Sequence, residues 1–386
     1  MKKWFFLFVL IIPASLFAQD SIKSWNFDLD GYLKFNTISL YQNNSKTLLT
    51  ENMIHNRFDF TVLYKNKFKW IYSFRNRFIY GEFIKFIPSY SKLIDEEKGF
   101  IDLSFLLIDN KNYLLHTIID RAYAEYNTGR FSIRAGRQRI NWSQTYAWNP
   151  NDIFNAYNFF DFDYEIKPGS DALRLIYYSG ALSQLELAVK ADYKNRITAA
   201  SLFKFNKWSY DFQLIAGIMN NEDLVAGTGW SGDLLHGGFR SEMSVFLNKN
   251  KLFDTSACFI ASVGYEYIFK NSLMLLFEAL YNSQGYKKGN FDLNEFYYND
   301  LTAKNLSLTR LSLLISANYP LTPLINATLS MMYSPNNQFM YIGPSITGSI
   351  SDNISVQLTT QSFFTLDKST PTSSGSFIFS GIKASF

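Results

Sequence analysis

Trp25-Asn-Phe-Asp-Leu-Asp-Gly-Tyr-Leu-Lys-Phe-Asn36 is the stretch on which the fold turns. Trp25, Phe27, Leu29, Leu33 and Phe35 take every second position, and Asn26, Asp28, Asp30, Tyr32, Lys34 and Asn36 fill the positions between. Successive side chains of a strand point to opposite faces, so this segment has one greasy and one wet wall. A soluble sandwich alternates too. A sandwich has no use for aromatic residues crowded along the greasy row, as in Phe68, Trp70, Tyr72, Phe74, Phe78 and Tyr80, or Trp208, Tyr210 and Phe212. Such rows suit lipid with aromatic girdles at its two interfaces. The expected fold is all-β, a transmembrane antiparallel β-barrel of about 16–18 strands.

Both ends of the chain agree with that reading. In Gly375-Ser-Phe-Ile-Phe-Ser-Gly-Ile-Lys-Ala-Ser-Phe386, Ile378, Ile382, Ala384 and Phe386 form a lipid-facing row suited to closing a ring, and to recognition by the barrel assembly machinery. Lys2 and Lys3, the apolar run Trp4 to Ile12 and the small-residue segment Ala14 to Ala18 read as a signal peptide, residues 1–18, cut before Gln19. The barrel then occupies residues 19–386 as one domain in the outer membrane of a Gram-negative-type bacterium.

Composition excludes the main rivals. Aromatics make up 18% of the 386 residues, charged residues another 18%, and Cys258 is the single cysteine, so no internal disulfide forms. The uncharged stretch between Arg310 and Asp352 is long enough for a helix pair, but Pro320, Pro323, Pro335 and Pro344 interrupt it. Its polar residues recur at every second position: Ser312, Ser316 and Asn318, then Asn326, Thr328 and Ser330. That is two strands joined by a turn.

Tight turns at Asn127–Gly129, Ser179–Gly180, Asn206–Lys207, Lys270–Ser272 and Ser351–Asn353 are expected at the periplasmic end. Segments 41–52, 81–115, 141–168, 220–234, 284–304 and 365–374 read as longer outer connections. This parsing yields about seventeen strands, whereas single-chain bacterial barrels have an even number; the error is expected between residues 220 and 270.

The wet rows nominate pore-lining residues: Arg75 and Arg77, Arg174, Glu186 and Lys190, Glu278 and Arg310. Their mixed signs also suit an ion-pair lattice that stiffens the wall. The densest basic run, Arg130 to Arg139, is harder to place, because strict alternation puts Arg137 and Arg139 on the greasy side with Phe131 and Ile133. Arginine at mid-bilayer on a barrel costs roughly 2–4 kcal/mol. A bulge at Gly136 would swing the pair inward; the alternative puts them above the apolar band.

Arg121-Ala-Tyr-Ala-Glu-Tyr126, Arg134-x-Gly136-Arg137-Gln138-x-Ile140-x-Trp142 and Pro150-x-Asp152-x-Phe154-Asn155 resemble outer-membrane porins of the alginate-export type and related porin-like barrels, with Gly238-Phe-Arg-Ser-Glu242 a weaker echo. Ser143 departs from the Gly expected after the tryptophan. The resemblance implies a monomeric barrel with a basic lumen that admits anionic or sugar-like solutes, and makes Arg134, Arg137 and Arg139 candidate constriction residues. The following loop sets Trp142, Trp148 and other aromatics among Asp152, Asp161 and Asp163. Folded inward, its acids would face the arginines and its rings would stack on sugars; folded outward, it would cap the rim.

Catalytic chemistry finds no footing. His55, His116 and His236 are widely spaced, with no metal-ligand pair, no cofactor motif and no partner to name for His116. Gly227-Thr-Gly-Trp-Ser-Gly232 spells a dinucleotide fingerprint without the helix it needs, and the basic residues are too balanced by acids for nucleic acid. Two functions remain. One is a channel for passive passage of small hydrophilic, anionic or carbohydrate, solutes. The other is a non-conducting barrel anchoring surface loops for adhesion, polysaccharide attachment or secretion assembly.

Overall fold

The computed structural model describes residues 24–42, 46–87, 89–156, 159, 167, 169–250, 257–287, 301–367 and 370–386. The signal peptide assigned to residues 1–18 lies outside the described residues. The first third of the chain holds β1 (Trp25–Gln42), β2 (Thr47–Tyr64), β3 (Phe68–Gly81), the short helices α1 (Phe83–Phe86) and α2 (Tyr90–Ile94), β4 (Ser104–Asp109), β5 (Tyr113–Asn127) and β6 (Phe131–Gln138). The middle holds β7 (Ser170–Gly180), β8 (Ser183–Ala191), β9 (Ile197–Lys207), β10 (Tyr210–Met219), β11 (Asp223–Leu234), β12 (Gly237–Asn248), β13 (Cys258–Ile268) and β14 (Met274–Asn282). The last part holds β15 (Leu311–Thr322), β16 (Ile325–Ser334), β17 (Phe339–Ser351), β18 (Ile354–Asp367) and β19 (Thr370–Ser385).

Every strand pairs antiparallel with its sequence neighbour except around β4, and β19 pairs back onto β1, closing the ring. β3 skips β4 and pairs with β5, while β4 lies along the edge of β5 beyond the end of short β6. The wall is therefore a closed 18-strand antiparallel barrel, with β4 as a short patch. The strand missing from the seventeen counted in the sequence is β11, read as the connection 220–234. Its glycines, Gly227, Gly229 and Gly232, disguised it. Segments 41–52 and 365–374 are likewise mostly strand, within the hairpins β1–β2 and β18–β19.

Alternation sorts side chains as the sequence implies. Trp25, Phe27, Leu29 and Leu33 are 45%, 61%, 49% and 50% exposed, while Tyr32, Lys34 and Asn36 between them are buried. At the end holding the ring's termini, aromatic rings touch across strands: Trp25 with Tyr64 at 4.5 Å, Phe68 with Tyr126 at 4.6 Å and Phe131 with Tyr177 at 4.9 Å. This is the girdle that an apolar band within a bilayer calls for.

Closure depends on one missing side chain. Phe386 exchanges backbone hydrogen bonds with Gly31, both 3.0 Å, and lays its ring across that glycine against Phe58, 5.8 Å away. A Cβ on Gly31 would stand 2.5 Å from the Arg57 carbonyl oxygen and 2.7 Å from the Phe386 ring. Gly31→Val is therefore expected to expel the terminal ring and impair closure. The check is heat-modifiable migration on gels: a variant folding as completely as wild type refutes this seam.

The lumen is partly filled from the loop end. Ile84, Tyr90 and Ile94, in or beside α1 and α2, pack on Met53, Ile79 and Leu114, apolar residues set in the otherwise wet rows of β2, β3 and β5. Trp142, Trp148, Ile153 and Phe154 join a larger inner cluster with Leu202, Ile260, Leu280, Ala303, Tyr341 and Phe363. Residues within 84–94, 142–154 and 303–306, in or beside three of the connections expected outside, thus lie against the inner wall.

Candidate functional site

The connection from β6 to β7 is held to the inner wall mainly by carboxylates. Glu242 on β12 accepts from the backbone N–H groups of Gln144, Thr145 (2.9 Å) and Asn151 (2.9 Å), and from the Thr145 hydroxyl. Glu278 on β14 accepts from the N–H groups of Tyr146 (2.9 Å), Ala147 (3.1 Å) and Trp148 (2.8 Å), and from the Ser262 hydroxyl (3.1 Å). Both carboxylates are wholly buried. Glu186 on β8 accepts from the Trp142 indole at 2.5 Å and pairs with Arg174 at 2.6 Å. Lys190 donates to the Phe154 carbonyl at 2.5 Å, and Gln213 to that of Trp142 at 3.0 Å.

Glycines of β11 make the bed for this loop. A Cβ at Gly227 would sit 2.8 Å from the Asn151 side-chain oxygen and 2.9 Å from the Ser244 hydroxyl; one at Gly229 would sit 2.6 Å from the Gln144 side-chain oxygen. The glycine run that spells a nucleotide fingerprint is accordingly a packing surface for residues 144–151.

Several residues nominated as pore-lining therefore lie under the loop. Glu186, Glu278 and Lys190 anchor it. Trp142 and Trp148, 0% and 3% exposed, are core residues with no ring face left for a sugar. Asp152 is also buried, holding Arg139 at 3.0 Å, and burial raises its carboxyl pKa above the usual range. Asp161 and Asp163 lie outside the described residues.

The arginine run divides as well. Gly136 has φ +118°, yet the ladder runs through it without a shift, pairing Arg137 with Ala122 and with Asp171. Arg137 thus keeps the outward row of Phe131 and Ile133 rather than swinging into the lumen. It is buried beneath residues 97–101 and paired with Glu97 at 2.7 Å and Asp171 at 2.8 Å, with the Ile101 carbonyl 2.6 Å away. These partners remove the cost of a bare charge near lipid. Arg134 faces inward, 27% exposed, on Glu125 at 3.0 Å; Arg174 stands opposite it on β7. Arg310 donates to the Ser283 carbonyl at 2.9 Å, away from this group.

A cationic wall forms instead on β19, β1, β2, β3 and β5. Lys383, Lys34, His55, Arg77 and His116 are successive cross-strand neighbours, and one step along the strands Tyr32, Arg57 and Arg75 form a parallel row. A bulge on β5 turns Asp120 and Arg121 both inward beside them. Arg57 is held by Asp59 at 2.8 Å and by Asp120, and Arg121 donates to the Lys167 carbonyl at 2.6 Å. Like charges stand directly opposite, Arg57 with Arg75 and Lys34 with Lys383, an arrangement that is unfavourable in a sheet unless compensated. Arg75 and Arg77 were nominated from the sequence; Lys34, Arg57, Arg121 and Lys383 were not. The wet row of the first strand already displayed Lys34, and the same counting applied to β2 exposes Arg57.

His116 gains a partner that the sequence concealed. The Ser104 hydroxyl is 2.7 Å from its Nε2, and 2.8 Å from Asp95. Arg77 points a guanidinium N–H at Nδ1 from 3.1 Å, which makes that nitrogen the acceptor and leaves the proton on Nε2. An imidazole so fixed donates to Ser104 and has no lone pair to take its proton, so the cluster ties residues 95–104 to the wall.

The fold defined by these features is a large closed antiparallel β-barrel of 18 strands. Solved structures with the same architecture include Acinetobacter baumannii OccAB3 (9% identity, TM-score 0.59, covering 94% of this chain and 99% of that one) and OccAB2 (6%, 0.58, 93% and 98%). Pseudomonas aeruginosa OccD3 (OpdP) is similar as well, at 7% identity and TM-score 0.53, over 92% of this chain and 91% of that one. No family model and no curated protein matches the chain, so the likeness to alginate-export porins gains no support from either.

Proposed function

We propose that this barrel sits in an outer membrane, delivered by the signal in residues 1–18 and by recognition of its last strand, and passes small hydrophilic solutes by passive diffusion. Anions are the favoured class. The observation that carries this reading is the inward-facing set of Lys34, Arg57, Arg75, Arg77, Arg121 and Lys383 on five adjacent strands, all buried except the partly exposed Lys383, beside the inward-folded loop. Fixed charges set in a low-dielectric wall act on the lumen through their field and raise the local concentration of counter-ions. An anionic sugar is compatible both with this wall and with the porin-like motifs at residues 121–155. Reconstitution in planar bilayers tests the proposal: stepwise currents with an anion-selective reversal potential are expected, and a folded protein that never opens refutes it.

A second reading has its own support. The apolar cluster around Trp148, Tyr341 and Phe363 fills part of the loop-end lumen, as in a barrel that only anchors surface segments. Absence of conductance in the same experiment selects it.

Lys167 supplies a pH signature. Burial, aided by the neighbouring Arg139, pulls its ammonium down to about 8. Raising pH from 7 to 9 removes this charge, so anion selectivity is expected to fall across that window, and to fall less in Lys167→Met. Reversal potentials that do not change with pH in wild type refute the assignment.

A further inference from the structure

The outer wall carries hydrogen-bonded polar side chains where its neighbours are apolar. On β2, β3 and β5 the outward row includes Asn56, Asn76 and Thr117, adjacent across strands. The Asn76 amide donates to the Asn56 side-chain oxygen at 2.8 Å, and the Thr117 hydroxyl donates to the Asn76 oxygen at 2.7 Å. Eight residues separate Asn76 from Phe68 in the terminal-end girdle. At roughly 3.3 Å per residue and a tilt of about 40° the trio stands about 20 Å above that girdle, within an apolar band about 25 Å tall. Apolar residues flank it on both sides along the strands: Phe58, Phe74 and Ile119 below, Ile54, Phe78 and Leu115 above.

Polar side chains in hydrocarbon are costly and serve as contacts between membrane segments. Here the chain of hydrogen bonds leaves complementary ends. The Asn56 amide nitrogen is a donor with no partner among the described residues, and the Thr117 hydroxyl oxygen retains acceptor capacity. The polar surface continues upward through Thr37 and Asn52, joined at 2.8 Å. Phe105, opposite Thr117 on β4, and Leu107 extend it with exposed apolar area, 43% and 57%.

We propose that this face, centred on Asn56, Asn76 and Thr117, docks a second copy of the same chain, whose matching face supplies the acceptor and donor that lipid tails lack. The inference rests on the barrel being embedded in a membrane, not on its conducting, so subunit count and conductance fail separately. Native mass spectrometry of the full-length folded protein from mild detergent, repeated in lipid nanodiscs, is the test. Wild type is expected as an oligomer. The triple variant Asn56→Leu, Asn76→Leu, Thr117→Val is expected to weaken association about tenfold or more, while keeping heat-modifiable migration. In a second arm, Asn76→Cys is expected to form a disulfide between copies on oxidation, the native Cys258 being buried. A monomeric wild type in both media, with or without bound lipopolysaccharide, or a triple variant that stays fully oligomeric, overturns the proposal.

Discussion

Glu242→Ala combined with Glu278→Ala is expected to give a barrel that still folds but carries an undocked β6–β7 loop. Together the two carboxylates accept the backbone N–H groups of Gln144, Thr145, Tyr146, Ala147, Trp148 and Asn151. A buried donor left unmade costs roughly 1–3 kcal/mol, so removing both acceptors outweighs what the remaining contacts of the segment supply. Wild type is expected to resist limited proteolysis within residues 142–151, and the double variant to be cut there. If the loop narrows the path, unit conductance rises and open-channel noise grows. Glu242→Gln retains one acceptor oxygen but turns an NH2 toward the amides, so its effect is expected to be intermediate. A double variant as protease-resistant as wild type would show that the apolar packing of Trp142, Trp148 and Phe154 holds the loop without the carboxylates.

Neutralising the cationic wall is expected to produce the largest change in selectivity. In a wet lumen with an effective dielectric near ~40, a unit charge about 8 Å from a passing ion contributes about 1 kcal/mol. Arg75→Gln with Lys383→Gln is thus expected to lower the anion-to-cation permeability ratio about tenfold at low salt, and less at high salt, where screening intervenes. Both residues face inward; Arg75 is 1% exposed and acts through its field, while the partly exposed Lys383 lies 4.6 Å over the Tyr32 ring. The same reasoning sets a control. Arg137→Gln removes a charge enclosed by Glu97 and Asp171 on the outward row, and its reversal potential is expected to match wild type. The opposite pattern, an effect from Arg137 and none from Arg75 with Lys383, would relocate the filter to β6. Arg57 is a poorer probe, because its removal strands Asp59 and Asp120.

Period-two patterning was sufficient to reveal the wall. The rows of β1, β3 and β19 face as counting predicts, and the missing strand lay within 220–270, hidden because β11 has glycine at inward positions where a side chain would have shown the alternation. Arg137 shows the limit of that method. Counting put it on the greasy side, its charge argued for an inward swing, and the register kept it outward because residues 97–101 bring Glu97 from 40 positions away.

The amino-acid sequence by itself determined the strands, the face each side chain presents, and a ring rather than a sandwich, because alternation is local to a few consecutive residues. Only the tertiary structure decided which inward residues meet solvent and which lie beneath a loop. Glu242 and Gln144 are 98 positions apart, and whether a carboxylate on a wet row faces water or a set of backbone N–H groups depends on what folds over it. For the same reason the cations of β1, β2, β3, β5 and β19 became one wall only when ring closure set the last strand beside the first.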